Sequence, residues 1–105
     1  MIHKGDIFLM DSRGDYRSTS RPVIVLSGEE TLRETDTLVV APLARSDREG
    51  SISHVKVYFG EKRPSVAILE RVRHIDRDRL RERIGAVDGN SKARVEAALC
   101  KMFEL

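Results

Sequence analysis

The chain has no tryptophan, one cysteine, three prolines, two tyrosines and three phenylalanines. With Cys100 alone, no internal disulfide can form, and with three scattered histidines and no cysteine pair there is no structural zinc site. No apolar run approaches the roughly 18 residues of a membrane span. The opening Met-Ile-His-Lys-Gly-Asp has no signal-peptide core, so a soluble, cytoplasmic protein with no membrane association is expected. Repeats, low-complexity tracts and linkers are absent. Nineteen basic and seventeen acidic side chains leave a formal charge of only +2, which excludes a polybasic arm holding nucleic acid by counterion release alone. What the chain has in excess is charge itself: 34% of its residues, against about 25% on average. Fourteen of the basic residues are Arg and five are Lys, and the planar guanidinium fork suits phosphate. A length of 105 residues allows one domain, 1–105, with no second core.

Gly5 to Asp11 reads as a short buried strand between charged ends. Ser12 to Ser20 is a polar loop. Val23 to Ser27 is β-branched and predicts a strand, with Pro22 at its first position because it has no N–H to give. Glu29 to Asp36 fits a single helical turn or a loop. Thr37 to Pro42 is a third strand, its pairing ended by Pro42, and Arg45 to Ser53 is a second polar loop. His54 to Phe59 alternates polar and apolar, as a half-buried strand does. Ser65 to Ile75 predicts another strand, followed by a turn of helix within Asp76 to Arg83 and a short apolar Ile84 to Val87. Val95, Ala98, Leu99, Met102 and Phe103 form one stripe of a terminal amphipathic helix, capped by Asn90 or Ser91. Five or six short strands and one helix make an α+β, mainly β, small barrel or sandwich.

Few residues stand out chemically. Arg21 precedes a proline, which restricts it to extended backbone and leaves its guanidinium little entropy to lose on meeting a phosphate. An Arg at a loop end is, by spacing alone, more often simply solvated. Tyr16, between Asp15 and Arg17, offers a ring beside a cation, a pair able to stack a base and hold its phosphate. Glu70 interrupts an apolar strand, and a carboxylate near Arg21 could take a proton from a substrate hydroxyl, although a solvent-facing ion pair is the plainer reading. His54 and His74 are candidate acids or bases at strand ends, where histidines are more often structural. Arg71 to Arg83 holds six Arg interleaved with Asp76, Asp78 and Glu82, a pattern that usually marks a self-paired, solvated face.

The ordered segments Lys4-Gly-Asp-Ile-Phe-Leu9, Arg21-Pro-Val-Ile-Val-Leu-Ser27, Thr37-Leu-Val-Val-Ala-Pro-Leu43 and Arg73-His-Ile-Asp76 resemble the MazF/PemK/Kid family, toxins of bacterial type II toxin–antitoxin modules. The match continues through Arg79-Leu-Arg-Glu-Arg-Ile-Gly85 and the terminal helix. The resemblance implies a small SH3-like β-barrel with a C-terminal helix, a homodimer neutralised by a cognate antitoxin, and cleavage of single-stranded RNA without metal or cofactor. It implies that Arg21 is catalytic and that Glu70, where some members have an Asp acid/base, is its partner. It further implies that Asp15, Tyr16, Arg17, Arg45, Ser46 and Arg71 contact RNA.

The chain also departs from that pattern. Ala44 stands where the family commonly has Thr or Ser, Tyr16-Arg17 replaces a Glu-Gln pair, Arg71 replaces Gln, and His74 replaces Thr. Loss of the hydroxyl at Ala44 removes a donor to the phosphate, for which Arg45 or Ser46 would have to compensate. Two alternatives stay open: a gyrase poison of the CcdB type, acting by binding, and a weak or inactive member that binds only RNA or antitoxin. The ending Glu104-Leu105 lacks the Trp-Gly expected of the poisons, and Arg21-Pro22 favours the nuclease.

Overall fold

A computed structural model describes residues 1–11, 20–45, 50–60 and 64–105. The polar stretch 12–19, part of the second loop (46–49) and 61–63 lie outside the described residues. The described residues form seven strands: β1 (Asp6–Met10), β2 (Arg21–Val25), β3 (Thr37–Arg45), β4 (His54–Val57), β5 (Ser65–Ile68), β6 (Arg73–Asp76) and β7 (Leu80–Ala86). Helix α1 (Glu29–Glu34) links β2 to β3, and α2 (Gly89–Phe103) follows β7. Short 3₁₀ turns occupy Leu69–Arg71 and Arg77–Arg79. All described pairings are antiparallel, in the order β4-β5-β3-β2-β1-β7, with β6 also on β3.

The mainly β class with a C-terminal helix is as expected, but the barrel is not closed: no described ladder joins β4 to β7. The two ends approach each other past β4, where the Asp88 N–H donates to the Tyr58 carbonyl at 2.9 Å and Gly85 of β7 lies against Phe59. Buried side chains lie on both faces of the sheet. On one face Ile7, Ile24, Leu26, Leu43, Val55, Val57 and Leu69 pack with Val95 and Ala98 of α2. On the other, Phe8, Met10, Val23, Val25, Leu38, Val40 and Ile75 pack with Leu32 of α1. This double burial is why β1, β2 and β3 read as continuous apolar runs rather than as alternation.

Three expected boundaries differ. Pro42 does not end β3, which runs on to Arg45. The Leu26 N–H donates to the Val39 carbonyl at 2.9 Å, so Val39 and Ala41 direct their amides toward β2 and Pro42 directs its bare nitrogen to the opposite edge. On that edge β6 pairs residues 37–40 and β5 pairs residues 43–45, and neither Ala41 nor Pro42 is paired. The missing donor therefore falls in a gap, and the segment read as one strand from Ser65 to Ile75 breaks there into β5, the turn Leu69–Arg71 and β6. Leu80 to Arg83, expected in a turn of helix, belongs to β7, where pairing with β1 overrides local preference. The cap of α2 is Asp88, whose carboxylate accepts from the Ser91 N–H at 2.7 Å, not Asn90 or Ser91.

Candidate active site

Arg21 begins β2 opposite Met10, with its side chain exposed. Among the described residues it has neither an ion pair nor a hydrogen-bond partner. Val23 pairs with Pro42, so the same register carried two residues further brings Arg21 level with Ala44. Ala44 pairs with Val66, and Val66 with Lys56. Because side chains alternate across a sheet, these four share one face, and the next row on it holds Val23, Pro42, Ile68 and His54. This is the face away from α2, since the intervening Ile24, Leu43, Ala67 and Val55 form the core beneath that helix. Arg45, exposed at the end of β3, pairs with Ser65 and also has no partner among the described residues.

Glu70 is lifted out of the sheet by the 3₁₀ turn that the Pro42 gap permits. Its carboxylate meets Nε2 of His54 in a short contact, with the two side chains 51% and 29% exposed. That hydrogen bond, followed by the His54 charge, the Ser53 hydroxyl and the neighbouring Arg71, holds the Glu70 carboxyl below its ordinary range against a weaker opposing effect of desolvation. Arg21 is not among the groups acting on Glu70. With strands about 4.8 Å apart, His54 on β4 lies three strands, roughly 14 Å of sheet, from Arg21 on β2. The face thus carries a guanidinium near one side and a carboxylate–imidazole pair near the other. Arg71 is exposed on the same turn as Glu70. Asp15, Tyr16, Arg17 and Ser46 lie outside the described residues.

Other charges that drew notice in the sequence have structural partners. Arg79 is buried, its Nε donating to Asp11 Oδ1 at 3.0 Å and its Nη2 to the Asp11 carbonyl at 2.9 Å. Arg81 reaches the other Asp11 oxygen at 2.8 Å, Arg83 reaches the buried Asp6 at 3.2 Å, and Arg77 donates to carbonyls of Leu32 and Thr35. Arg77, Arg79, Arg81 and Arg83 of this run are thus held by Asp6, Asp11 and the carbonyls of Leu32 and Thr35, which lie outside it. His74 Nε2 lies 2.6 Å from Thr37 Oγ1 across the β3–β6 pair. Among the described residues no three His, Cys, Asp or Glu side chains gather closely enough to hold a metal ion, and no helix is long and apolar enough to cross a membrane.

The pairing of His54 with Glu70, and Lys56 in the row with Arg21, were not anticipated. Their signal was the alternation His54-Val-Lys-Val57, which puts His54 and Lys56 on one face but does not say which strand lies beside them.

Comparison with known proteins matches residues 3–103 to the family described as PemK-like, MazF-like toxin of type II toxin-antitoxin system. The chain is 28% identical to Endoribonuclease EndoA of Bacillus subtilis (strain 168), over 94% of this chain and 91% of that protein. It is 26% identical to Endoribonuclease MazF of Staphylococcus epidermidis, over 94% of this chain and 88% of that protein. In fold it is similar to an endoribonuclease solved in complex with its cognate antitoxin from a mycobacterial species, at a TM-score of 0.84 and 16% identity, covering 100% of this chain and 97% of that one. The match spans nearly every described strand and both helices, and the chain belongs to the PemK-like, MazF-like toxin family of type II toxin–antitoxin systems.

Proposed function

We propose that this protein is a toxin endoribonuclease that cuts single-stranded RNA and is neutralised by a cognate antitoxin. The observation that carries the reading is Arg21, an exposed guanidinium without a described partner, on pre-proline backbone, at the start of β2 on the sheet face away from α2. Family membership and the names of the two relatives support it. Cleavage through the RNA 2′-hydroxyl needs a base for that proton, a cation for charge growing on the phosphoryl oxygens, and a proton for the leaving 5′-oxygen. Arg21 suits the second role, because a fixed cation stabilises developing charge without reorganising. A guanidinium stays protonated and cannot accept the 2′ proton, so we assign the base to Glu70. Arg45, Arg71, Asp15, Tyr16, Arg17 and Ser46 complete the RNA contacts in this proposal. Metal independence, a homodimeric state and action in the cytoplasm belong to it as well.

The test is incubation of purified protein with single-stranded RNA in excess chelator, with 5′-end mapping of the products. Cleavage is expected, and Arg21→Ala should lower it by roughly 100-fold or more while the thermal midpoint stays unchanged, since the side chain is exposed. Intact RNA at high protein concentration would overturn the assignment. One observation favours a second reading: Ala44, level with Arg21, has no hydroxyl to offer a phosphate. A weak or silent member that only binds RNA or antitoxin would retain that binding with no cleavage above the Arg21→Ala background.

A further inference from the structure

We propose that His54 is a positioning residue for Glu70, fixing the carboxylate at the side of the sheet face across from Arg21 in the orientation that receives the proton of an RNA 2′-hydroxyl. The inference deepens the nuclease reading and rests on it. A glutamate on an exposed turn samples several rotamers, and a base that must meet one proton works best when held in one. Three features here hold it. The turn carrying Glu70 is tied to β4 by the Leu69 N–H, which donates to the Ser53 carbonyl at 2.9 Å. His54, the next residue, pairs with Ile68 and donates its own N–H to the Ser51 carbonyl at 3.1 Å, so its ring starts from a fixed backbone. The ring's Nε2 then meets the Glu70 carboxylate, while Nδ1 faces Gly50, where a Cβ would stand 3.3 Å away.

In the reaction the 2′-oxygen forms a bond to phosphorus as the bond from phosphorus to the 5′-oxygen breaks. The 2′ proton passes to Glu70, water supplies a proton to the leaving 5′-oxygen, and the products are a 2′,3′-cyclic phosphate and a 5′-hydroxyl. His54 touches none of the reacting atoms and acts through Glu70. The groups facing Glu70 are His54 and Ser53 from the β4 side and Arg71 on its own turn. Since His54 is the largest influence keeping the carboxyl below its ordinary range, its removal lets Glu70 protonate at higher pH.

The experiment measures kcat/KM for RNA cleavage against pH for the parent chain, His54→Ala and His54→Gln, alongside NMR titration of the Glu70 carboxyl without RNA. His54→Ala should lower the limiting kcat/KM about tenfold and move the acidic limb to higher pH, with the carboxyl titration moving the same way. His54→Gln, which keeps a donor, should fold normally and recover part of both. A His54→Ala profile superimposed on the parent, or one reduced in height with limb and titration unmoved, would overturn the positioning role and leave the nuclease reading standing. Absence of cleavage by the parent chain would overturn both.

Discussion

Ser91 is wholly buried, and its hydroxyl joins the start of α2 to the end of β4. Oγ accepts from the Tyr58 N–H at 2.9 Å and from Arg94 Nη2 at 3.3 Å, while the Ser91 N–H donates to Asp88. Removing the hydroxyl would leave the part-buried Tyr58 N–H without its acceptor, and the loss of such a bond costs about 1–3 kcal/mol. Ser91→Ala should therefore lower stability by about that amount in urea unfolding and speed amide exchange at Tyr58. A change within about 0.5 kcal/mol would mean the hydroxyl contributes no more than an ordinary surface group. The sequence offered Ser91 or Asn90 as the cap of α2, because serine before an apolar stripe is a capping signal, but Asp88 is the cap and Ser91 is the third helical residue. Its partner was not legible, since Tyr58 lies thirty-three positions away and local chemistry cannot see across that span. The same holds for Glu70, whose carboxylate is plain in the chain while His54, sixteen positions before it, is brought alongside only by the β4–β5 register.

At the scale of elements, β1 to β5 were readable as strands, while β6 as a separate strand, most of β7 and the strand ends were not. β1 is a short apolar run and β2 to β5 carry β-branched residues, and the stripe of α2 is periodic enough to read directly. Pro42 misled because its missing N–H is harmful only where a neighbour needs it, and that depends on which edge it faces. The close of α2 shows a comparable conflict. Glu104 adopts φ 56°, the left-handed region that glycine occupies at helix ends, and the Leu105 N–H reaches back to the Cys100 carbonyl at 2.8 Å. A non-glycine residue there is disfavoured by about 1–2 kcal/mol, and an acidic one also faces the negative end of the helix. Glu104→Gly should therefore stabilise the protein by about 1 kcal/mol, seen as a higher thermal midpoint with the helical signal unchanged. A lower midpoint would mean that the Glu104 side chain contributes more than its backbone strain removes.

The whole molecule carries a formal charge of only +2, yet it presents exposed guanidiniums at Arg21, on the sheet face away from α2, and at Arg45, at the end of β3. The structure resolves the tension by dividing its arginines. Arg77, Arg79, Arg81, Arg83 and Arg94 are committed to carboxylates or carbonyls of the fold, while Arg21 and Arg45 have no partner among the described residues. Affinity for a nucleic-acid strand should then follow the few phosphates these guanidiniums can meet rather than net charge. For single strands log K falls against log salt with a slope of about −0.7 per phosphate contact, so contacts by the four proposed arginines, Arg17, Arg21, Arg45 and Arg71, give a slope of about −3. The measurement is equilibrium binding of an RNA made uncleavable by 2′-deoxy substitution, from low to moderate salt. Arg45→Ala should make the slope shallower by about 0.7 and weaken binding evenly across sequences. A slope steeper than about −5 would instead bring in Arg13, Arg48, Lys62 and Arg63, the other basic residues outside the described part of the chain.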